Sequence, residues 1–150
     1  MKGNKMGLDM YLNARQLSSR DYFRPDLFNK LVQEAPFALD FATLEVQVAY
    51  WRKANQIHAW FVKHVQNGKD DCQEYHVTRD QLQLLVDNCK LVLMHREEAA
   101  NLLPVQEGFF FGSYEYDEYY FGDIQDTIDQ LERILNEYPE DWEFKYQSSW

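Results

Sequence analysis

The sequence predicts an α+β fold: one domain over residues 1–150, with three main helices packed on a small sheet that includes strands from both ends of the chain. Three observations predict it. Apolar and polar residues alternate near both termini, in "GLDMYLNA" and "WEFKYQSSW". Three long inner segments instead repeat their apolar residues every three or four positions. With 150 residues, 45% hydrophobic and 16% aromatic, the chain has material for one core of ordinary domain size.

Leu8, Met10 and Leu12 alternate with Asp9, Tyr11 and Asn13, a period-two strand pattern. Residues 15–43 read as irregular, since Pro25 and Pro36 break any long helix, although "RPDLFNKLV" suits a short one. "EVQVAYW" alternates again and fits either a strand or the early start of the next helix. From Trp51 to about Gln66 the period is helical. Trp51, Ala54, Ile57, His58, Phe61, Val62 and Val65 share one sector, with Arg52, Gln56 and Lys63 opposite. Asn67-Gly68 ends this helix, and "EYHV" suits a short strand. Thr78 with Gln81 forms a capping-box pattern opening a helix to about Glu98. Its stripe is Leu82, Leu85, Val86, Cys89, Val92 and Leu93. Leu84 and Leu91 lie on the other side, a face for a second element or subunit. A third helix is expected from about Tyr116 to Tyr138, and Trp142, Phe144 and Tyr146 alternate in a final strand.

Charge narrows the function classes. Twelve of the 25 acids lie in residues 107–150, against Arg133 and Lys145 only, so that segment carries the whole formal charge of −10. Such a surface repels phosphate backbones and disfavours direct nucleic-acid binding. No apolar run approaches the roughly 20 residues of a membrane span. Residues 1–5 read as a disordered leader, with Met6 as an alternative start. Two cysteines without CxxC spacing suit a reduced, cytoplasmic protein. There is no GxSxG, GxxxxGK[ST] or GxGxxG, so neither a nucleophile elbow nor a phosphate loop announces itself. "NGKDDCQEYH" holds acids, Cys72 and His76, but its spacing matches no EF-hand or zinc signature. No metal or cofactor is expected.

Two stretches attract chemistry. In "YWRKANQIHAWFVKH", Arg52 and Lys53 stand where a helix is expected to begin, and the helix dipole disfavours cations there. An anionic ligand would explain them, with Asn55 and His58 as hydrogen-bonding neighbours. A hydrogen-bonded core histidine and an Arg52 paired to an acid of the third helix would explain them equally. In "GFFFGSYEYDEYYFGD", eight aromatics lie between Gly108 and Asp123. Phe109, Phe111 and Tyr116 offer ring faces, and Ser113 stands where it would cap the third helix. The candidate ligand site is therefore Arg52, Lys53, Asn55, His58, Phe109, Phe111, Ser113 and Tyr116, taking a small anionic or nucleotide-like molecule. The alternative is an acidic surface of Glu118, Asp123, Asp126 and Asp129 that imitates nucleic-acid charge and docks on a host protein. An enzyme using His58 with Asp117 or Glu115 ranks last, because it needs them adjacent in space.

The segments "MGLDMYL", "AYWRKANQIHAWFV", "DDCQEYHV" and "LLPVQEGFFFGSYEYDEYYFGDI" resemble a family of small uncharacterised proteins of bacteriophages, prophages and some bacteria. The resemblance spans most of residues 6–138 and leaves out 15–43. It implies a viral accessory protein in the bacterial cytoplasm, plausible in countering host defence, and assigns no catalytic residue.

Overall fold

The structure, a computed structural model, describes residues 7–35, 38–108 and 111–150. The expected leader at 1–5 lies outside them. The elements are β1 (Asp9–Ser19), α1 (Pro25–Glu34), β2 (Phe41–Arg52), α2 (Asn55–His64), β3 (Tyr75–Val77), α3 (Arg79–Met94), α4 (Ala99–Leu102), α5 (Glu118–Glu137) and β4 (Glu143–Ser149). The four strands form one antiparallel sheet in the order β2-β1-β4-β3, so the N- and C-terminal strands are its middle pair. The chain is an α+β fold with α2, α3 and α5 as its main helices.

The sheet buries Leu8, Met10, Leu12 and Ala14 with Phe144, Tyr146 and Val77. Facing them are Ile57 and Phe61 of α2, the stripe Leu82, Leu85, Val86, Cys89 and Val92 of α3, and Ile124, Ile128, Leu131 and Ile134 of α5. Burying each large side chain contributes roughly 1.5–3 kcal/mol. Leu84 and Leu91, on the outer side of α3, are exposed at 45% and 42%, as their phase on the helix requires. No helix among the described residues is long and apolar enough to cross a membrane.

Residues 15–43 are more regular than their composition suggests. β1 runs on to Ser19 and β2 begins at Phe41. The inward positions beyond Ala14 are Gln16 and Ser18, which break the apolar alternation yet are buried. Each is satisfied: Gln16 donates to Asp141 at 2.8 Å, and Ser18 donates to the Arg24 carbonyl at 2.8 Å. The choice left open for "EVQVAYW" resolves to strand. β2 continues through Trp51, whose buried indole N–H donates to Thr127 Oγ1 at 2.9 Å, and α2 starts only at Asn55. Arg52 and Lys53 are therefore not in a helix's first turn, and the dipole argument for a bound anion falls. β2 bulges where Leu12 pairs with Ala49 and Asn13 with Gln47. The outer edge there is closed by α5: Arg133 donates to the Val48 carbonyl, and Gln130 exchanges hydrogen bonds with both backbone groups of Tyr50.

The capping box at the start of α3 forms as expected, with Thr78 Oγ1 accepting from the Gln81 N–H at 3.1 Å and Gln81 returning to the Thr78 N–H at 2.9 Å. The helix ends at Met94, and a 3-10 turn over Arg96–Glu98 leads into α4. Replacing Thr78 by Ala is expected to lower the unfolding free energy by about 1 kcal/mol, read from the urea midpoint at constant m.

Candidate functional site

The β2–α2 connection is two residues long and turns sharply. Lys53 has a φ of 58°, left-handed and costly for a residue with a side chain. Its N–H donates to the Leu8 carbonyl at 2.7 Å and its carbonyl accepts from the Asn55 N–H at 3.0 Å, which holds the turn. The segment Phe111–Ser113 packs over it. Gly112, at φ 88°, lies so close that a Cβ there would sit 3.1 Å from Lys53 Cβ. Glycine is needed at that position for both reasons.

Asn55 fastens the two pieces together. Its Nδ2 donates to the carbonyls of Phe111 at 3.0 Å and Ser113 at 2.8 Å, and its Oδ1 accepts from the Gln106 N–H at 3.0 Å. The side chain is 1% exposed. Asn55 is a positioning residue for the loop, with both amide protons spent on it.

Between turn and loop lies a cleft of about 280 Å³, lined by Arg52, Lys53, Ser113, Tyr119 and three acids, Glu115, Asp117 and Asp123. Arg52 is already paired: its guanidinium bonds Asp9 on β1 at 2.7 Å, not an acid of the third helix, and Asp9 also accepts from the Tyr50 hydroxyl. Lys53 has no ion-pair partner among the described residues. Asp117, not Ser113, caps α5, accepting from the Tyr120 N–H at 3.1 Å; Ser113 Oγ instead accepts from the Glu115 N–H within the loop. Burial pushes the Asp123 carboxyl up to about 6, with Asp126 and Asp117 adding repulsion and a Gln56 hydrogen bond opposing it.

The other expected ligand residues stand elsewhere. His58 is fully buried behind the cleft, where its Nδ1 meets the Tyr146 hydroxyl at 2.6 Å and its Nε2 meets Asp70 at 2.9 Å. The network suits one neutral tautomer, with Nε2–H donating to the carboxylate and Nδ1 accepting from Tyr146. Burial holds the imidazole below its ordinary range against the pull of Asp70. A ligand in the cleft has no access to it, so His58 is the hydrogen-bonded core histidine. Phe111 is buried, its ring edge-on to His58 at 5.4 Å. Tyr116 precedes α5, packs on Tyr120 at 4.9 Å and accepts from the Val105 N–H. Neither ring lines the cleft. Phe109 lies outside the described residues.

The acids of the alternative surface are divided. Asp123 faces the cleft, Glu118 lies at the start of α5 beside Arg96, and Asp126 and Asp129 are exposed beside Tyr50 and Arg133. The acids of the 67–76 loop are engaged with protein partners: Asp70 with His58 and Trp150, Asp71 with Tyr75, and Glu74 with Arg15 and Lys145. No group of three or more His, Cys, Asp and Glu is placed to hold a metal among the described residues. Burial pushes the Cys89 thiol up to about 12, which keeps it inert.

Sequence reasoning did not find Glu115 and Tyr119 as cleft residues, nor Gln56. It placed Gln56 on the outer side of α2, but the start of α5 covers that side, and Gln56 is buried with Nε2 donating to the Tyr120 carbonyl at 3.3 Å. Only the polar-aromatic density of "SYEYDEYY" hinted at the cleft wall. No family model, no curated protein and no solved structure matches this chain.

Two consequences are measurable. Replacing Asn55 by Asp puts an acceptor oxygen where one amide nitrogen donates to two carbonyls, and chemical denaturation is expected to show a loss of about 3 kcal/mol. The pH response contains opposed contributions. Neutral His58 stabilises the fold above its ordinary value of 6.5, and that contribution is lost as pH falls from there through its lowered folded value. Asp123 destabilises fully above about 6, and the penalty disappears as pH falls towards its ordinary 3.8. Replacing Asp123 by Asn should therefore stabilise by about 1 kcal/mol at pH 7.5, after allowance for solvent screening, and by nothing near pH 3.5 in parallel urea titrations.

Proposed function

We propose that the chain binds a small nucleotide-like ligand in the cleft between the β2–α2 turn and the 111–123 segment. The observation that carries this is Lys53. A cation without an ion-pair partner is held in a strained left-handed turn, against a glycine, at the mouth of a cleft. Strain of this kind persists where the surroundings over-determine it, and such places are often ligand sites. Lys53 and the outer side of Arg52 suit an anionic group such as a phosphate. Glu115, Asp117 and Asp123 would repel a second anion, but as acceptors they suit the hydroxyls of a sugar. Tyr119, 85% exposed, offers a ring face for a planar base. The volume of about 280 Å³ suits a mononucleotide better than a dinucleotide.

This reading keeps the cleft and its cations, drops His58 as a ligand contact, and makes Asn55 the brace behind the site. In a phage accessory protein of the bacterial cytoplasm, the context implied by the segment resemblance, such binding would withhold a nucleotide signal from host defence. The acidic-surface alternative rests on the charge of residues 107–150, with Asp126 and Asp129 as its exposed pair; its affinity for a basic partner would collapse with added salt.

The test is Lys53→Gly. Glycine relieves the left-handed strain and removes the ammonium together, so unfolding free energy should rise by about 1 kcal/mol while affinity for nucleoside monophosphates falls about tenfold in calorimetric titration. Arg52→Ala is the poorer test, since it also strips Asp9 of a partner. Unchanged affinity in a folded Lys53→Gly protein, or no heat with any of the four common monophosphates, would overturn the reading.

A further inference from the structure

β2 is an edge strand of the sheet, and its outer side is covered in part. Over Val48–Tyr50 the side chains of α5 take up outward backbone groups, Arg133 donating to the Val48 carbonyl at 3.0 Å and Gln130 bonding both groups of Tyr50. Over Phe41–Gln47 nothing does so: among the described residues, no side chain and no backbone outside the pairing with β1 bonds the backbone of this stretch. The register says which groups are open. Tyr50 faces out, Ala49 therefore bonds Leu12, and the bulge at Val48 brings Gln47 opposite Asn13. Alternation then turns the N–H and C=O groups of Phe41, Thr43, Glu45 and Gln47 outwards.

A row of unpaired backbone groups is a template for another strand, and edges are commonly blunted by proline or by charge. The stretch "FATLEVQ" has no proline, and its one acid, Glu45, is held by Arg15 at 3.0 Å. Its side chains suit a neighbouring strand as well. Ala42, Leu44 and Val46 stand opposite the buried Ser18, Gln16 and Ala14, on the core side of the sheet, and Val46 is still 42% exposed. A strand alongside would extend this row with its own alternate side chains. Past Gln47 the edge runs into acids of α5. Asp126 and Asp129 line a shallow hollow with Tyr50, Gln130 and Arg133, and the Arg133 guanidinium bonds Val48. The two acids accept from Gln130 and Gln125, and neither forms an ion pair among the described residues.

We infer that β2 takes up an extended, basic segment of another protein as a fifth strand of the sheet. The pairing is antiparallel, like every other in this sheet. Backbone hydrogen bonds along Phe41–Gln47 hold the segment. Its lysine or arginine side chains stand at its N-terminal end, where they reach Asp126 and Asp129. A second copy of this chain fits worse. Each copy carries a formal charge of −10, and two-fold pairing about Leu44 would bring the exposed Asp40 of one copy to the Val48 end of the other, beside these acids. The edge is independent of the nucleotide reading and shares no residue with the cleft.

The probe is the capped peptide Lys-Lys-Thr-Val-Thr-Val-Thr-Val, titrated into the full-length 15N-labelled protein, with amide exchange followed residue by residue. In the free protein the amides of Thr43, Glu45 and Gln47 should exchange fast, and those of Ala42, Leu44 and Val46 slowly. Saturating peptide should slow the first set roughly tenfold. The same peptide with glutamates for lysines should bind roughly tenfold more weakly, a difference that added salt erases. Thr43→Pro removes an outward N–H and leaves the ladder to β1 whole, so it should abolish binding in a folded protein. Asp126→Asn with Asp129→Asn should keep the peptide bound but remove the preference for lysine. No protection of these amides at millimolar peptide, or protection that survives Thr43→Pro, would overturn the inference, as would equal affinity for the two peptides. So would exchange at Thr43, Glu45 and Gln47 that slows with protein concentration alone, because a second copy would then occupy the edge.

Discussion

Tyr146, near the middle of β4, stacks its ring on Phe61 of α2 with centroids 3.8 Å apart and planes at 7°, and its hydroxyl meets His58 one turn earlier on the same helix. Much of the structure depends on that contact. β4 lies between β1 and β3, so the last strand of the chain occupies the inside of the sheet. Through Tyr146 it fixes α2 to the sheet, and through His58 and Asp70 it fixes the loop leading to β3. Trp150 closes the set by donating to the same Asp70 oxygen. A carboxylate, an imidazole and a hydroxyl in a row resemble a catalytic relay, but the hydroxyl is wholly buried under Phe61. Nothing can reach it to react, and its effect is to order the fold.

With α2 fixed, the cleft follows. Asn55 at its first turn gathers Gln106, Phe111 and Ser113, and α5 then starts where Asp117 caps it. The apolar stripe of α5 packs beside α3, which leaves Asp126, Asp129 and the other outer acids in solvent. The acidity of residues 107–150 is thus mostly the solvated side of an amphipathic helix. Asp123 is the exception. It faces inwards far enough for burial to raise it to about 6, and it does so in a cleft wall, where groups with displaced acidity carry more meaning than on an open surface.

Periodicity made the core legible. The stripe of α3, the capping box at Thr78 and the two terminal strands could all be read from spacing, because burial on one side imposes it. Three things could not. Gln16 and Ser18 hid the far half of β1, since a buried polar residue satisfied by a distant partner looks like a surface residue in sequence. Trp51 fitted a helical sector and a strand equally, and only the turn at Lys53 decides between them. Gln56 had the phase of an outer position, but the start of α5, distant in sequence, covers that side of α2. The candidate site suffered most from this, being built where loop meets helix. Arg52, Lys53, Asn55 and Ser113 do converge, while His58, Phe111 and Tyr116 belong to the packing around them.

The same helix serves two surfaces of opposite electrostatic character. Gln56 stands between them, with its amide bonded to the Tyr120 carbonyl and its buried carbon chain in the walls of both. On the α5 side the cation at Lys53 is offset by Glu115, Asp117 and Asp123. On the α4 side no lining residue is acidic, and Lys63 is the one Lys or Arg. The difference follows from which segment covers each side of α2. The acid-rich 113–123 stretch forms one wall, and the nearly uncharged Asn101–Gln106 stretch forms the other. In a chain whose net charge is concentrated at one end, the electrostatic character of each surface is thus set by the segment that walls it.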